Sequence, residues 1–136
     1  NYEGRKGQEL LATKKAAACL HWKSLRRQVR IVGGVNKISE LASDDYFATR
    51  PRGSQVGAWA SYQSRPIATR SELTRRVTEY EKKFENQIVP RPSHWGGFII
   101  KPVEIEFWAD GAYRLHDRFQ LKRDANNKWN ATRLNP

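Results

Sequence analysis

The chain has 136 residues, with 25 Lys and Arg against 14 Asp and Glu, and a formal net charge of +11. Hydrophobic residues make up 38%, and five Trp, five Tyr and five Phe are spread along the length, which excludes a disordered polycation and leaves a basic folded domain able to bury its own core. No apolar run approaches the ~20 residues of a membrane span, and the single Cys19 excludes an internal disulfide or a cysteine-based zinc cluster and fits a reducing, cytoplasmic compartment.

In chain order, residues 5–18 follow Gly4, are rich in helix formers and predict a helix. Between Glu9 and Glu40 there is no acidic residue, while Lys14, Lys15, Lys23, Arg26, Arg27, Arg30 and Lys37 all fall there. Such a window makes a positive surface, suited to nucleic acid, an anionic membrane or a phosphorylated ligand, or simply solvated. Residues 28–39 carry Val29, Ile31, Val32, Val35 and Ile38 and predict a strand or hairpin interrupted at Gly33-Gly34. Ser39 is placed to cap a helix over 40–49, ended by Arg50-Pro51, and 54–61 predicts a short helix or turn.

Thr69-Arg70-Ser71-Glu72 has the spacing of a capping box, and Leu73, Val77, Tyr80 and Phe84 then recur at helical intervals. After a loop marked by Pro90, Pro92 and Gly96-Gly97 the period changes. Segments 98–101, 103–109, 113–123 and 128–134 predict consecutive strands whose short connections imply antiparallel pairing. The whole reads as one α+β domain over 1–136, a mainly antiparallel sheet curled into a small barrel with flanking helices. His21, His94 and His116 lack the spacing of a metal-binding helix, so no metal is expected. The absence of methionine suggests a fragment or a trimmed form.

Three clusters could carry chemistry. Gly4-Arg5-Lys6-Gly7 opens a helix, where free backbone N–H groups and two cations suit a phosphate; a surface turn is the alternative. Around the next helix end, Tyr46, Arg50, Arg52 and Ser54 combine two guanidinium forks with two hydroxyls, a donor set for phosphate oxygens or a cationic helix C-terminus. The third cluster is Glu106-Phe107-Trp108 with Arg114-Leu115-His116-Asp117-Arg118. On a strand, Arg114, His116 and Arg118 would share one face, where three potential cations repel unless an anion lies among them, and His116 is a candidate proton-transfer group. His21 and His94 read as partly buried structural histidines.

These clusters, in this order, resemble the pyridoxine (pyridoxamine) 5′-phosphate oxidase family. The resemblance also rests on Arg27-Gln28-Val29, Gly57-Ala58-Trp59 with Gln63-Ser64, Val89-Pro90 with Pro92, Trp95-Gly96-Gly97, and the ending Arg133-Leu134-Asn135-Pro136. It implies an FMN-binding split β-barrel acting as a homodimer, with FMN at the subunit interface. The implied reaction oxidises pyridoxine or pyridoxamine 5′-phosphate to pyridoxal 5′-phosphate, with O₂ as acceptor and hydrogen peroxide as product. Carried over residue by residue, Arg5, Lys6 and Gln28 resemble FMN ligands, and Gln63, Ser64, Trp108 and Arg118 would complete that site from the other subunit. Tyr46, Arg50 and Ser54 resemble the holders of the substrate phosphate, and Arg114 and His116 the catalytic pair over the substrate ring. Gly4 stands where the family has a serine, and the family's preceding segment, which supplies a further arginine and a lysine, lies before this chain. The alternatives are a non-catalytic split-barrel protein that binds flavin or pyridoxal phosphate, and a nucleic-acid-binding domain; no recognised nucleic-acid motif supports the latter.

Overall fold

The computed structural model describes residues 1–136 and divides the chain into two compact units, one of Asn1–Ala12 with Lys37–Ile99 and one of Thr13–Asn36 with Ile100–Pro136. The first unit is helical, with α1 (Arg5–Thr13), α2 (Glu40–Ala48), α3 (Arg52–Ala60) and α4 (Arg70–Lys83). Ser39 caps α2 by accepting from the Ala42 N–H, and Thr69 caps α4 by accepting from the Glu72 N–H. Lys82 and Lys83 occupy the last turn of α4, where cations favour the helix dipole. Burying Phe47 of α2, Val56 of α3, Phe84 at the end of α4 and Val89 makes the core of this unit, and Val77, Tyr80, Trp59 and Trp95 pack around it.

The five strands form one sheet in the order β1-β2-β3-β4-β5, with β1 (Lys15–Trp22), β2 (Arg27–Lys37), β3 (Phe98–Ala109), β4 (Asp117–Arg123) and β5 (Trp129–Leu134). The antiparallel pairings include Ala18↔Ile31, Phe107↔Phe119 and Leu121↔Ala131. An α+β fold with an antiparallel sheet is therefore found as expected, but four local expectations change. Helix α1 stops at Thr13, and Ala16, Ala17 and Ala18 are strand residues paired with Gly33, Val32 and Ile31. Alanine favours helix by only about 1 kcal/mol over other residues, less than a full ladder supplies, and Lys14 breaks the helix with a left-handed backbone (φ 53°).

Gly33-Gly34 does not interrupt β2. A β-carbon at Gly33 would overlap the Lys101 carbonyl oxygen, so glycine here admits a close backbone approach within the sheet. Pro102 does not interrupt β3 either, because pairing with β4 begins only at Glu104, and on that side the missing N–H removes no ladder bond. The fourth change concerns the segment before β4. Strand structure begins at Asp117, preceded by a 3₁₀ turn over Ala112–Arg114 in which Tyr113 and Arg114 have left-handed backbones (φ 56° and 65°).

Candidate functional site

The start of α1 is built by Asn1, whose side-chain oxygen accepts from the N–H groups of Glu3 and Gly4 at 2.8 and 3.2 Å. Arg5 and Lys6 then lie exposed in the first turn. The Arg5 N–H donates to the Ser64 hydroxyl at 3.4 Å, and a β-carbon at Gly4 would stand 3.3 Å from Gln63 Cδ. Arg5, Gln63 and Ser64 are thus neighbours within one chain. The Arg5 guanidinium pairs with Glu9 one turn on at 2.8 Å, and that hydrogen bond holds it above the usual arginine value.

The second cluster separates. Arg52 turns to the end of α4, where it donates to the carbonyls of Gln87 and Phe84 at 2.8 and 2.5 Å, and Gln55 donates to the Phe47 carbonyl at 3.0 Å. Both are structural. Arg50 and Ser54 instead line a cavity of about 290 Å³, together with Gly57, Ser61, Gln63 and Trp95. Arg50 Nη1 is buried without a hydrogen-bond partner. Its guanidinium lies 5.0 Å from the Trp95 ring centroid, and Tyr46 stacks on the same indole at 6.0 Å. An orphaned cationic donor is costly unless something accepts from it, so this cavity is suited to an anion. Gln63 belongs both to this cavity and to the neighbourhood of Gly4, which joins the first two clusters on one unit. A larger depression, about 790 Å³ around Glu81, Glu85 and Ile88, is bordered by Arg52 but by none of Tyr46, Arg50 and Ser54.

On the sheet, Gln28 and Trp108 line a cleft of about 480 Å³ with Trp22, Leu25, Val29, Phe107 and Phe119. This mainly apolar, aromatic lining suits a planar ring system. Arg118 meets Glu106 fork to fork, Nε to Oε1 at 3.0 Å and Nη2 to Oε2 at 3.2 Å, and donates from Nη1 to the Asn135 carbonyl. The Glu106 hydrogen bond raises the Arg118 pKa above its usual value, and Arg30 approaches the same buried carboxylate at 3.8 Å. His116 packs against Trp108 with ring centroids 4.7 Å apart and planes tilted by 47°, and its Nδ1 lies 3.1 Å from Asp110 Oδ1 and 3.2 Å from the Gly111 nitrogen. A proton on Nδ1 serves Asp110; without it Nδ1 accepts from Gly111. Asp110 also pairs with Arg26.

Arg114, His116 and Arg118 therefore do not form the strand face that their alternation suggested. Arg114 stands exposed on the 3₁₀ turn, and the charges of the other two are met by Asp110 and Glu106. The reason is local: the chain leaves β3 through a tight loop closed by Leu115 N–H to Ala112 O at 3.0 Å, and the two-residue period starts only beyond it. His94 is partly buried and bonds the Ala58 carbonyl, whereas His21 is exposed on β1, contrary to its expected burial, because its edge strand is uncovered there. Three residues went unassigned from sequence. Glu106 and Asp110 owe their roles to cross-strand register, which their own spacing does not encode, and Trp95 sits in a Pro/Gly loop with no period to signal a face.

Two family models match the chain, one described as pyridoxamine 5′-phosphate oxidase over residues 1–84 and one as the pyridoxine 5′-phosphate oxidase C-terminal dimerisation region over residues 95–136. Proteins called pyridoxine/pyridoxamine 5′-phosphate oxidase in Brucella anthropi and Allorhizobium ampelinum are 55% and 53% identical to the whole chain, which spans 68% and 66% of their lengths. Among solved structures, PhzG from Burkholderia lata, in complex with tetrahydrophenazine-1-carboxylic acid, matches 98% of the chain and 65% of its own with TM-score 0.90 and 32% identity. A pyridoxamine 5′-phosphate oxidase-related, FMN binding protein from Nostoc punctiforme matches all of the chain and 70% of its own with TM-score 0.72 at 15% identity, a likeness of fold. With over half its length matched by the first model and a relative more than half identical, the chain belongs to the pyridoxine/pyridoxamine 5′-phosphate oxidase family.

Proposed function

We propose that the protein is an FMN-dependent oxidase that converts pyridoxine or pyridoxamine 5′-phosphate to pyridoxal 5′-phosphate, with O₂ as electron acceptor and hydrogen peroxide as product. The observation that carries this reading is the cavity of Arg50 and Ser54, with a buried guanidinium nitrogen that lacks an acceptor. A phosphate ester supplies the acceptor. Tetrahydrophenazine-1-carboxylic acid, the compound bound by the PhzG relative, carries a carboxylate and no phosphate; a guanidinium matches either anion, and the relatives more than half identical to the chain carry the name of the phosphate-ester oxidase.

The chain's own residues suit FMN in two places. The start of α1, with the cations of Arg5 and Lys6 beside Ser64 and Gln63, suits its phosphate. Gln28 and Trp108, in an apolar aromatic cleft, suit its ring, and Arg118, fixed by Glu106, lies in the adjoining strand. In a homodimer these contacts can come from either subunit. FMN held by these residues would supply the hydride-accepting chemistry, with O₂ as the final electron acceptor.

Every other step falls to side chains. Tyr46, Arg50 and Ser54 hold the substrate phosphate, Arg114 orients the substrate, and His116, with Nδ1 beside Asp110, holds or moves a proton on the substrate side at its other ring nitrogen, Nε2. The purified full-length protein is expected to be yellow, to consume O₂ with pyridoxine 5′-phosphate and to release one peroxide per aldehyde. A protein that takes up FMN but does not turn over is the non-catalytic flavin binder instead, and one that takes up neither FMN nor substrate defeats the reading.

A further inference from the structure

A guanidinium can be compensated in two ways that differ in what they leave free. A carboxylate or carbonyl bonds to its edge and uses up N–H donors, as Glu106 does for Arg118, and the Phe84 and Gln87 carbonyls for Arg52. An aromatic ring meets its face and leaves the donors in the plane unspent. Arg50 is compensated in the second way. It makes no ion pair, lies 5.0 Å from the Trp95 centroid and 6.0 Å from that of Phe47, and has a buried, unpartnered Nη1, while Arg50 and Trp95 both line the cavity.

Trp95 is itself fixed from several sides. Its N–H donates to the carbonyl of the fully buried Pro92 at 2.9 Å, and its carbonyl accepts from Arg91 Nη1 at 2.6 Å. Arg91 is tied in turn to Asp44 of α2 at 2.5 Å, while Phe47 meets the indole edge-on at 5.0 Å and Tyr46 stacks on it. One indole thus registers Tyr46 and Arg50 against the backbone of a loop that α2 holds in place.

We propose that Trp95 is a positioning residue for phosphate-ester recognition: its π face holds the Arg50 guanidinium in the cavity with its donor edge free for the phosphate. This inference rests on the phosphate-ester reading of that cavity. It assigns Trp95 no contact with the reacting atoms, so its effect belongs in substrate binding and acts through Arg50.

The test uses the full-length protein loaded with FMN, with pyridoxine 5′-phosphate as substrate and inorganic phosphate as competitor. Loss of this cation–π contact by Trp95→Leu is expected to raise KM and the phosphate inhibition constant about tenfold, with kcat within about twofold. Phenylalanine at position 95 should restore both to within about threefold. Pentafluorophenylalanine there, with the same shape and a reversed ring quadrupole, should behave like leucine. That pair keeps the test valid if the leucine variant fails to fold. Because Trp95 acts through Arg50, the double variant Arg50→Ala/Trp95→Leu should bind no more weakly than Arg50→Ala alone. Equal behaviour of the two phenylalanines, or additive losses in the double variant, overturns the positioning role. If Arg50→Ala itself changes neither KM nor phosphate inhibition, the phosphate-ester reading fails; if it changes both while the position 95 series is flat, only the role of Trp95 fails.

Discussion

Gly111 shows how one missing β-carbon sets the placement of a proposed catalytic group. Its N–H points to His116 Nδ1, and a β-carbon would overlap the Leu115 carbonyl oxygen, so any side chain forces the loop outward. Gly111→Ala is expected to leave FMN content unchanged and to lower kcat at least tenfold, because displacements near 1 Å at a reacting group cost up to about a hundredfold; stopped-flow reduction by pyridoxine 5′-phosphate checks this. Gly33 has the same steric logic with a different consequence. Gly33→Ala drives a methyl into the Lys101 carbonyl inside the sheet and is expected to cost about 3 kcal/mol, read by denaturant unfolding with an unchanged m-value.

Helix α3 trades stability for space. Gly57 lies in its interior with helical backbone, and a β-carbon there meets nothing within 4 Å, so neither strain nor packing calls for glycine. It does line the cavity of Arg50 and Ser54. Gly57→Ala is expected to stabilise the protein by about 0.5–1 kcal/mol while raising KM for the phosphate ester a few-fold, measured by thermal melting and initial rates. The turn joining β4 to β5 is pH-sensitive in the opposite sense to a basic site. Asp124 accepts from the N–H groups of Lys128 and Asn126, both at 2.9 Å, and from Asn130 at 3.2 Å; the Lys128 backbone bond contributes most to lowering its pKa below 3.8. A depressed carboxylate pKa stabilises the fold above the unfolded value and ceases to do so as pH falls through the lower folded one. Asp124→Asn should therefore melt lower than the parent at neutral pH, and the two should converge as pH falls below the ordinary carboxylate range.

For the molecule as a whole, the sheet unit exposes apolar side chains that a self-sufficient domain would cover. Phe107 and Phe119, directly paired across β3 and β4, are 45% and 39% exposed, and Trp22 beside the same cleft is 43% exposed. Such a patch marks a binding surface, and part of it falls in the region that the second family model describes as a dimerisation region. The full-length protein is expected to run as a dimer in light scattering. Phe119→Glu, which sets a charge into that patch, should shift it towards monomer and reduce FMN content together, since the patch and the cleft share residues. The net charge also acquires an address. Within the basic window Arg26 and Arg30 are matched by Asp110 and Glu106, and outside it Arg5, Lys6 and Arg50 stand where phosphate groups are proposed.

The sequence alone was sufficient for the features that depend on neighbours in the chain. The caps at Ser39 and Thr69, the periodic face of α4, the antiparallel alternation after Phe98 and the ordered motifs of the family are all local signals, carried by hydrogen bonds and spacings within a few residues. Tertiary structure decided wherever a distant partner outweighs a local preference. Ala16 to Ala18 became strand because β2 offered a ladder, and Gly33 continued a strand because Lys101 lay against it. Arg50 and Arg52, two residues apart and chemically identical, parted because an indole face met one and the carbonyls at the end of α4 met the other. Residue type sets which interactions a side chain can make; which of them is realised depends on contacts between segments far apart in sequence, and these form only when the chain folds.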